Sequence, residues 1–307
     1  MPGPMTPQLW GMLVFLSVIW GASFFFAAVA LTGFPPLTIV LGRVGIAALV
    51  LALTCRVMGL ALPRGRAAWL ACAGMALLNN VVPFSLIIAG QMFIPSGLAA
   101  VVNAATPVFG VLAAHFLTRD EPATAHRLAG ALMGLGGVAI LAGPAVFVAG
   151  GAAELLGIAL CLGACLSYGL SGVWSRRIAR EGLKPLPTAA AQCIASTLLV
   201  LPVVLVVDQP WTLPAPPVQA VAAVIAFGLF PTALAYVLFY WVMARAGATN
   251  AMLVTLLVPV TAMLLGTLVL GEVLALRHLL GMAVIALGLL VIDGRLVAKL
   301  RERLRAR

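Results

Sequence analysis

Apolar residues run along this chain in blocks of about twenty, the length of helix that crosses a bilayer core. Short gaps holding Pro, Gly or charge separate the blocks, and the pattern predicts ten transmembrane helices. They are expected at Leu9–Leu31, Leu37–Val57, Ala67–Ala89, Ile94–Leu117, Ala125–Ala142, Ala152–Ser175, Leu186–Val207, Val218–Met243, Thr249–Leu270 and Leu276–Ile292. No gap is long enough for a soluble domain, and the first block, with no Lys or Arg before it, is expected to stay as a helix.

The pattern is also written twice. SGLAAVVNAATPVFGVLAAHFL carries Pro107 in its middle, and TNAMLVTLLVPVTAMLLGTLVL carries Pro259. Superposing these prolines aligns Asn103 with Thr255 and, after one gap, Glu121 with Glu272, Gly130 with Gly281 and Gly137 with Gly288. The chain is therefore a duplication. Each copy holds five spans, an odd number, so the second must enter the membrane in the opposite direction. The expected fold is an all-α membrane protein of two inverted five-helix repeats, residues 1–146 and 147–294, with a basic tail at 295–307.

Composition agrees with burial in lipid: 64% of residues are hydrophobic, 8% are charged, and the mean hydropathy is +1.18. The net charge of +10 does not indicate nucleic acid, because the basic residues sit in gaps between apolar runs instead of forming a patch. It acts as a topology signal. With the N-terminus cytoplasmic, 16 of the 18 Lys and Arg fall inside, leaving Arg43 and Arg277. The expected topology is multi-pass, with both termini in the cytoplasm.

Polar groups within spans are expensive in lipid and usually face a bundle interior or a cavity. Trp20 and Ser23 lie in the first span, Asn79 and Asn80 in the third ahead of Pro83, Asn103 in the fourth, Tyr168 in the sixth and Tyr236 in the eighth. Together they are the candidate substrate site. The plainer reading for the asparagines is hydrogen bonding between helices, and for the aromatics packing or an interfacial belt. Arg43, two turns into the second span, either contacts a substrate carboxylate or reaches helix carbonyls and the outer interface. Glycines of the fifth and tenth spans are at helix-packing spacing.

All eight acidic residues lie in gaps or at span ends, so no carboxylate relay crosses the membrane. The five cysteines lie in apolar runs and read as small packing residues. No metal cluster, phosphate loop or hydrolytic constellation is present, so no cofactor and no enzymatic activity are expected. Transport without ion coupling follows as the expectation, with Pro107 and Pro259 as hinges, since each leaves a carbonyl unbonded mid-helix.

With Trp20-Gly21-Ala22-Ser23-Phe24 in the first span, Arg43 in the second, and Pro-Val at Pro107 and Pro259 followed by Glu121 and Glu272, the chain resembles the EamA-type drug/metabolite transporter (DMT) superfamily. Within it the sequence is most similar to bacterial inner-membrane exporters of amino acids, aromatic ones included. That resemblance implies a cavity lined by spans 1, 3, 4, 6, 8 and 9, with spans 5 and 10 away from it. Nucleotide-sugar carriers of the superfamily would want several cavity cations, and its small multidrug exporters carry a Glu in the first span that Leu9–Leu31 lacks. The expected function is export of small neutral or zwitterionic metabolites, amino acids first, by a protein acting as a monomer in the bilayer. Two alternatives stand beside it: export of nucleobases, nucleosides or apolar drugs, and a lipid-handling or scaffold membrane protein that transports nothing.

Overall fold

The computed structural model describes residues 6–118, 124–142, 151–246, 251 and 254–293. Among these residues ten helical spans follow one another: α1 (Pro7–Ala30), α2 (Pro36–Val57), α3 (Arg66–Gly90), α4 (Ser96–Leu117), α5 (Ala125–Ala142), α6 (Ala152–Arg180), α7 (Pro185–Val207), α8 (Val218–Ala246), α9 (Val254–Val269) and α10 (Leu276–Asp293). Seven are long and apolar enough to cross a membrane whole, while α5, α9 and α10 have shorter apolar stretches. Proline opens α1, α2 and α7, where its missing N–H costs nothing, and the Thr6 hydroxyl caps α1 by accepting from the Leu9 N–H. α6 outruns its predicted end at Ser175 because Arg176 to Arg180 still favour a helix after the apolar run stops.

The helices pair as the inverted repeat requires. α2 packs on α7 and α5 on α10, each a pairing between equivalent helices, while α1 packs on α9 and α4 on α6, two equivalent pairings. Glycines allow these approaches. A Cβ on Gly130 would strike the Gly288 carbonyl, and one on Gly137 would strike that of Gly281. Since Gly130 is aligned with Gly281 and Gly137 with Gly288, one contact has been made twice about a pseudo-two-fold axis. In the same way Gly21 abuts Thr261 and Ala262, and Gly169 abuts their counterparts Phe109 and Gly110. Many Leu, Val and Phe side chains on the outer surface are exposed, as lipid-facing residues of a membrane protein are.

Two spans are wound more loosely at equivalent places. α3 has a π-helical segment at Leu77–Val81, and α8 has one at Leu229–Leu234, 152 residues later, the offset that separates Pro107 from Pro259. Prolines explain both, since Pro83 and Pro231 cannot bond the carbonyls of Asn79 and Phe227. The Thr232 hydroxyl donates to the Phe227 carbonyl at 3.1 Å instead.

The repeat prolines behave differently from one another. At Pro107 the helix does not merely bend: it ends at Asn103 and restarts at Thr106. The freed Asn103 carbonyl accepts from the Thr106 hydroxyl at 2.7 Å and from the Cys165 thiol at 3.7 Å. Pro259 lies within one unbroken helix.

Candidate functional site

The two loosened segments are where the polar side chains converge. In α3, Asn80 is fully buried: its amide donates to Ser196 Oγ at 3.0 Å, and its Oδ1 accepts from Gln192 Nε2 at 2.8 Å and from the Tyr236 hydroxyl at 3.1 Å. Neighbouring Asn79 is half-buried, donating to the Tyr236 hydroxyl at 3.4 Å and accepting from Ser171 Oγ at 3.2 Å. The Ser167 hydroxyl donates to the Leu78 carbonyl at 2.7 Å, which ties α6 to the loosened turn of α3. One network thus joins α3, α6, α7 and α8.

Arg43 sits deep in the bundle and does not reach the interface, being 8% exposed. Its Nε–H donates to Thr232 Oγ1 at 2.9 Å, and its guanidinium lies 3.5 Å from the ring centroid of Phe84 and 4.2 Å from that of Phe227. Its charge is within electrostatic range of Tyr168 and Tyr236. The terminal nitrogens Nη1 and Nη2 make no hydrogen bond or ion pair among the described residues. The reading of Arg43 as an interfacial side chain is therefore set aside.

Arg43 and Gln192 are repeat counterparts, as aligning Pro36-Leu37 with Pro185-Leu186 shows, and so are Thr232 and Asn80. The Arg43–Thr232 and Gln192–Asn80 bonds, at 2.9 and 2.8 Å, are consequently one joint built twice. In each, the second helix of one half grips the loosened turn of the other half. One copy is neutral, whereas the other adds a cation with donors to spare.

Of the residues proposed from sequence, Asn79, Asn80 and Tyr236 are bonded together, whereas Tyr168 is tied in only by its backbone carbonyl, which shares the Ser171 hydroxyl with Asn79. Trp20 connects through rings: it lies 5.3 Å from Phe239, which lies 5.9 Å from Tyr240, which stacks on Tyr236 at 6.2 Å. Ser23 and Asn103 are half-buried and make no side-chain contact with this network, and Asn103 Oδ1 is a buried acceptor with no partner. Asn80 is fully buried and braces Tyr236 from behind. Gln192 and Ser196, in α7, had not been anticipated, nor had any role for that span. The mid-span polarity that singled out the asparagines applies equally to Gln192.

Helix ends are tied to one another on one face of the bundle. On the face opposite the basic gaps, Asp208 accepts at 2.7 Å from both the N–H and the hydroxyl of Thr38, and Glu272 accepts from the N–H groups of Ser96 and Gly97 at 2.7 and 2.9 Å. There too Arg277 pairs with Glu154 at 2.7 Å. Toward the basic face, a Cβ on Gly110 of α4 or on exposed Gly172 of α6 would meet nothing.

Comparison with known proteins decides the family: the EamA-like transporter family matches residues 8–143 and again 155–293, one match for each half. The chain belongs to that family. EamA members are transporters and not enzymes, so this is a multi-pass membrane transporter of a small molecule, within the DMT superfamily. It is 28% identical over 94% of its length to a probable terminal-alkyne amino-acid exporter of Streptantibioticus cattleyicolor, covering 95% of that protein. An uncharacterized transporter of Bacillus subtilis, YvbV, is 25% identical across 92% of this chain and 90% of its own. A solved crystal structure with 21% identity superposes with a TM-score of 0.65, covering 94% of this chain and 97% of that one, and shares the fold.

Proposed function

We propose that this transporter exports neutral, zwitterionic amino acids from the cytoplasm across a bacterial inner membrane. The observation that carries the reading is the buried Arg43, which among the described residues gives only its Nε–H to a hydrogen-bond partner, Thr232. A lone cation held in the membrane calls for an anionic partner, and a guanidinium presents paired donors to a carboxylate. In this reading Arg43 takes the substrate carboxylate, the Asn79 amide oxygen and Tyr236 hydroxyl receive the ammonium, and Trp20 with Phe239 face an apolar or aromatic side chain. One cation matches one carboxylate, which fits a zwitterion better than a phosphate ester. The likeness to an amino-acid exporter supports the class without naming the substrate.

The basic face is then cytoplasmic, and the conformation is the one that loads from inside. The exchange between states needs no coupling ion, since no Asp or Glu lies at mid-span. The broken helix at Pro107 and the proline-bearing α9 serve as hinges.

Proteoliposome uptake of labelled amino acids, against nucleosides and sugars, tests the class. Arg43→Gln installs the residue of the neutral joint. It should raise KM for an amino acid by about 10- to 100-fold, the equivalent of one charged hydrogen bond, and erase discrimination against the corresponding amine lacking the carboxylate. Unchanged KM and unchanged discrimination would refute the assignment. Flux of nucleosides or apolar drugs but not amino acids would favour the aromatic chain from Trp20 to Tyr236 as a wall for flat ligands.

A further inference from the structure

A cleft of about 560 Å³ opens between α3, α4 and α6 on the basic side. None of the hydrogen-bonding side chains of the polar network lines it. On α6, Leu166, Leu170, Val173 and Arg177 follow one another at helical spacing and share a face, and Leu166 on that face is exposed as a lipid-facing residue is. Leu117 of α4 completes the apolar wall, and Trp174, Arg177 and Arg180 form the rim. Among the described residues the lining contains no Asp or Glu.

The rim is built, not loose. The Trp174 indole N–H donates to the Ala71 carbonyl at 2.9 Å, and the ring packs against Gly74, where only a glycine leaves room. The Arg177 guanidinium lies 4.0 Å from the Trp174 ring centroid, which steers it over the cleft. Leu170 stands seven residues before Arg177, about 10 Å deeper along the helix axis. A cationic end at the level of the interface above an apolar slot of that depth matches a phosphate headgroup with the first part of an acyl chain.

We propose that this cleft holds one anionic phospholipid, its phosphate at Arg177 and Arg180 and a chain against Leu117, Leu170 and Val173.

Native mass spectrometry of the purified full chain, mixed with phosphatidylglycerol or with phosphatidylcholine of the same chains, tests the site. The wild type should retain one phosphatidylglycerol through activation that strips phosphatidylcholine. Arg177→Gln with Arg180→Gln should weaken that retention at least about tenfold. Val173→Trp, which fills the slot and keeps both charges, should weaken it too, because surface charge alone does not need a slot. Thermal unfolding of each variant identifies any that fails to fold; for such a variant Arg177→Lys with Arg180→Lys, which keeps charge but loses the fork and the ring stacking, should retain lipid only in part. Equal retention of the two lipids, or undiminished phosphatidylglycerol retention in folded Gln or Trp variants, would overturn the proposal.

Discussion

Asn79 and Asn80 are adjacent and chemically identical, yet one is half-buried and the other fully buried, and replacing each by Leu should separate stability from transport. Asn80→Leu removes contacts to Ser196, Gln192 and Tyr236 at 3.0, 2.8 and 3.1 Å within a fully buried site. Side-chain hydrogen bonds between membrane helices average about 0.6 kcal/mol, so three remove about 2 kcal/mol. Asn79→Leu gives up two longer contacts, at 3.2 and 3.4 Å, from a half-buried position, a loss of less than about 1 kcal/mol. Thermal unfolding in detergent should therefore show a marked fall for Asn80→Leu and little change for Asn79→Leu, whereas proteoliposome flux per folded molecule should fall most for Asn79→Leu. A cycle of Asn80→Leu with Gln192→Leu sharpens the test, because either single variant breaks the Asn80–Gln192 bond and the double variant should therefore lose less than the sum of the two. Asn80→Leu as stable as the wild type, or additive losses, would refute the support role.

Three further outcomes follow from the packing and the backbone. Gly169→Ala sets a Cβ 2.7 Å from the Phe109 carbonyl carbon, a backbone contact that cannot rotate away, and should lower stability by about 1–3 kcal/mol in an unfolding assay, whereas Gly172→Ala meets nothing and should be silent. Pro107→Ala should let α4 run unbroken through Asn103 and slow flux more than it weakens substrate binding; Pro259→Ala, in a helix already continuous, should do so less. An imposed proton gradient should not drive uphill accumulation in proteoliposomes, and accumulation would mean an ion site built without a mid-span carboxylate.

Much of this architecture is legible in sequence because the bilayer imposes one simple rule, about twenty apolar residues per span, and because duplication prints each feature twice. Gly130 and Gly281 could be paired by alignment before any packing was visible. The site was legible only as a set of polar groups at mid-depth. Nothing local distinguishes Asn79 from Asn80, since a loosened turn decides which one faces inward, and that turn depends on Pro83 four residues on. Gln192 was missed although it obeys the same rule, for its meaning lies in being the counterpart of Arg43. Arg43 itself is ambiguous in sequence because an arginine two turns into a span can reach the interface; the stacked rings of Phe84 and Phe227, distant in sequence from each other, hold it inside.

The same repeat logic says which end of the bundle should rest open. A carrier that alternates needs its two end states within a few kcal/mol, so contacts that shut one face require counterparts that shut the other. Glu272 has such a counterpart in sequence, Glu121. The Asp208–Thr38 clasp has none: the alignment that pairs Arg43 with Gln192 pairs Thr38 with Pro187, which lacks an N–H, and Asp208 with Gly59, which lacks a carboxylate. The clasp should therefore weight the equilibrium toward the state in which the far face is tied together. Its two 2.7 Å bonds to a carboxylate bring about 1.5–3 kcal/mol for a charged hydrogen bond, a population ratio of about 10 to 100. Asp208→Asn keeps the size and removes the charge. In that variant a cysteine placed at Gly172, in an otherwise Cys-free background, should react more slowly with a reagent applied from the basic side, and one placed at Gly97 should gain reactivity from the far side. Unchanged labelling at both positions, in a variant that unfolds at the wild-type temperature, would show that the clasp does not set the resting state.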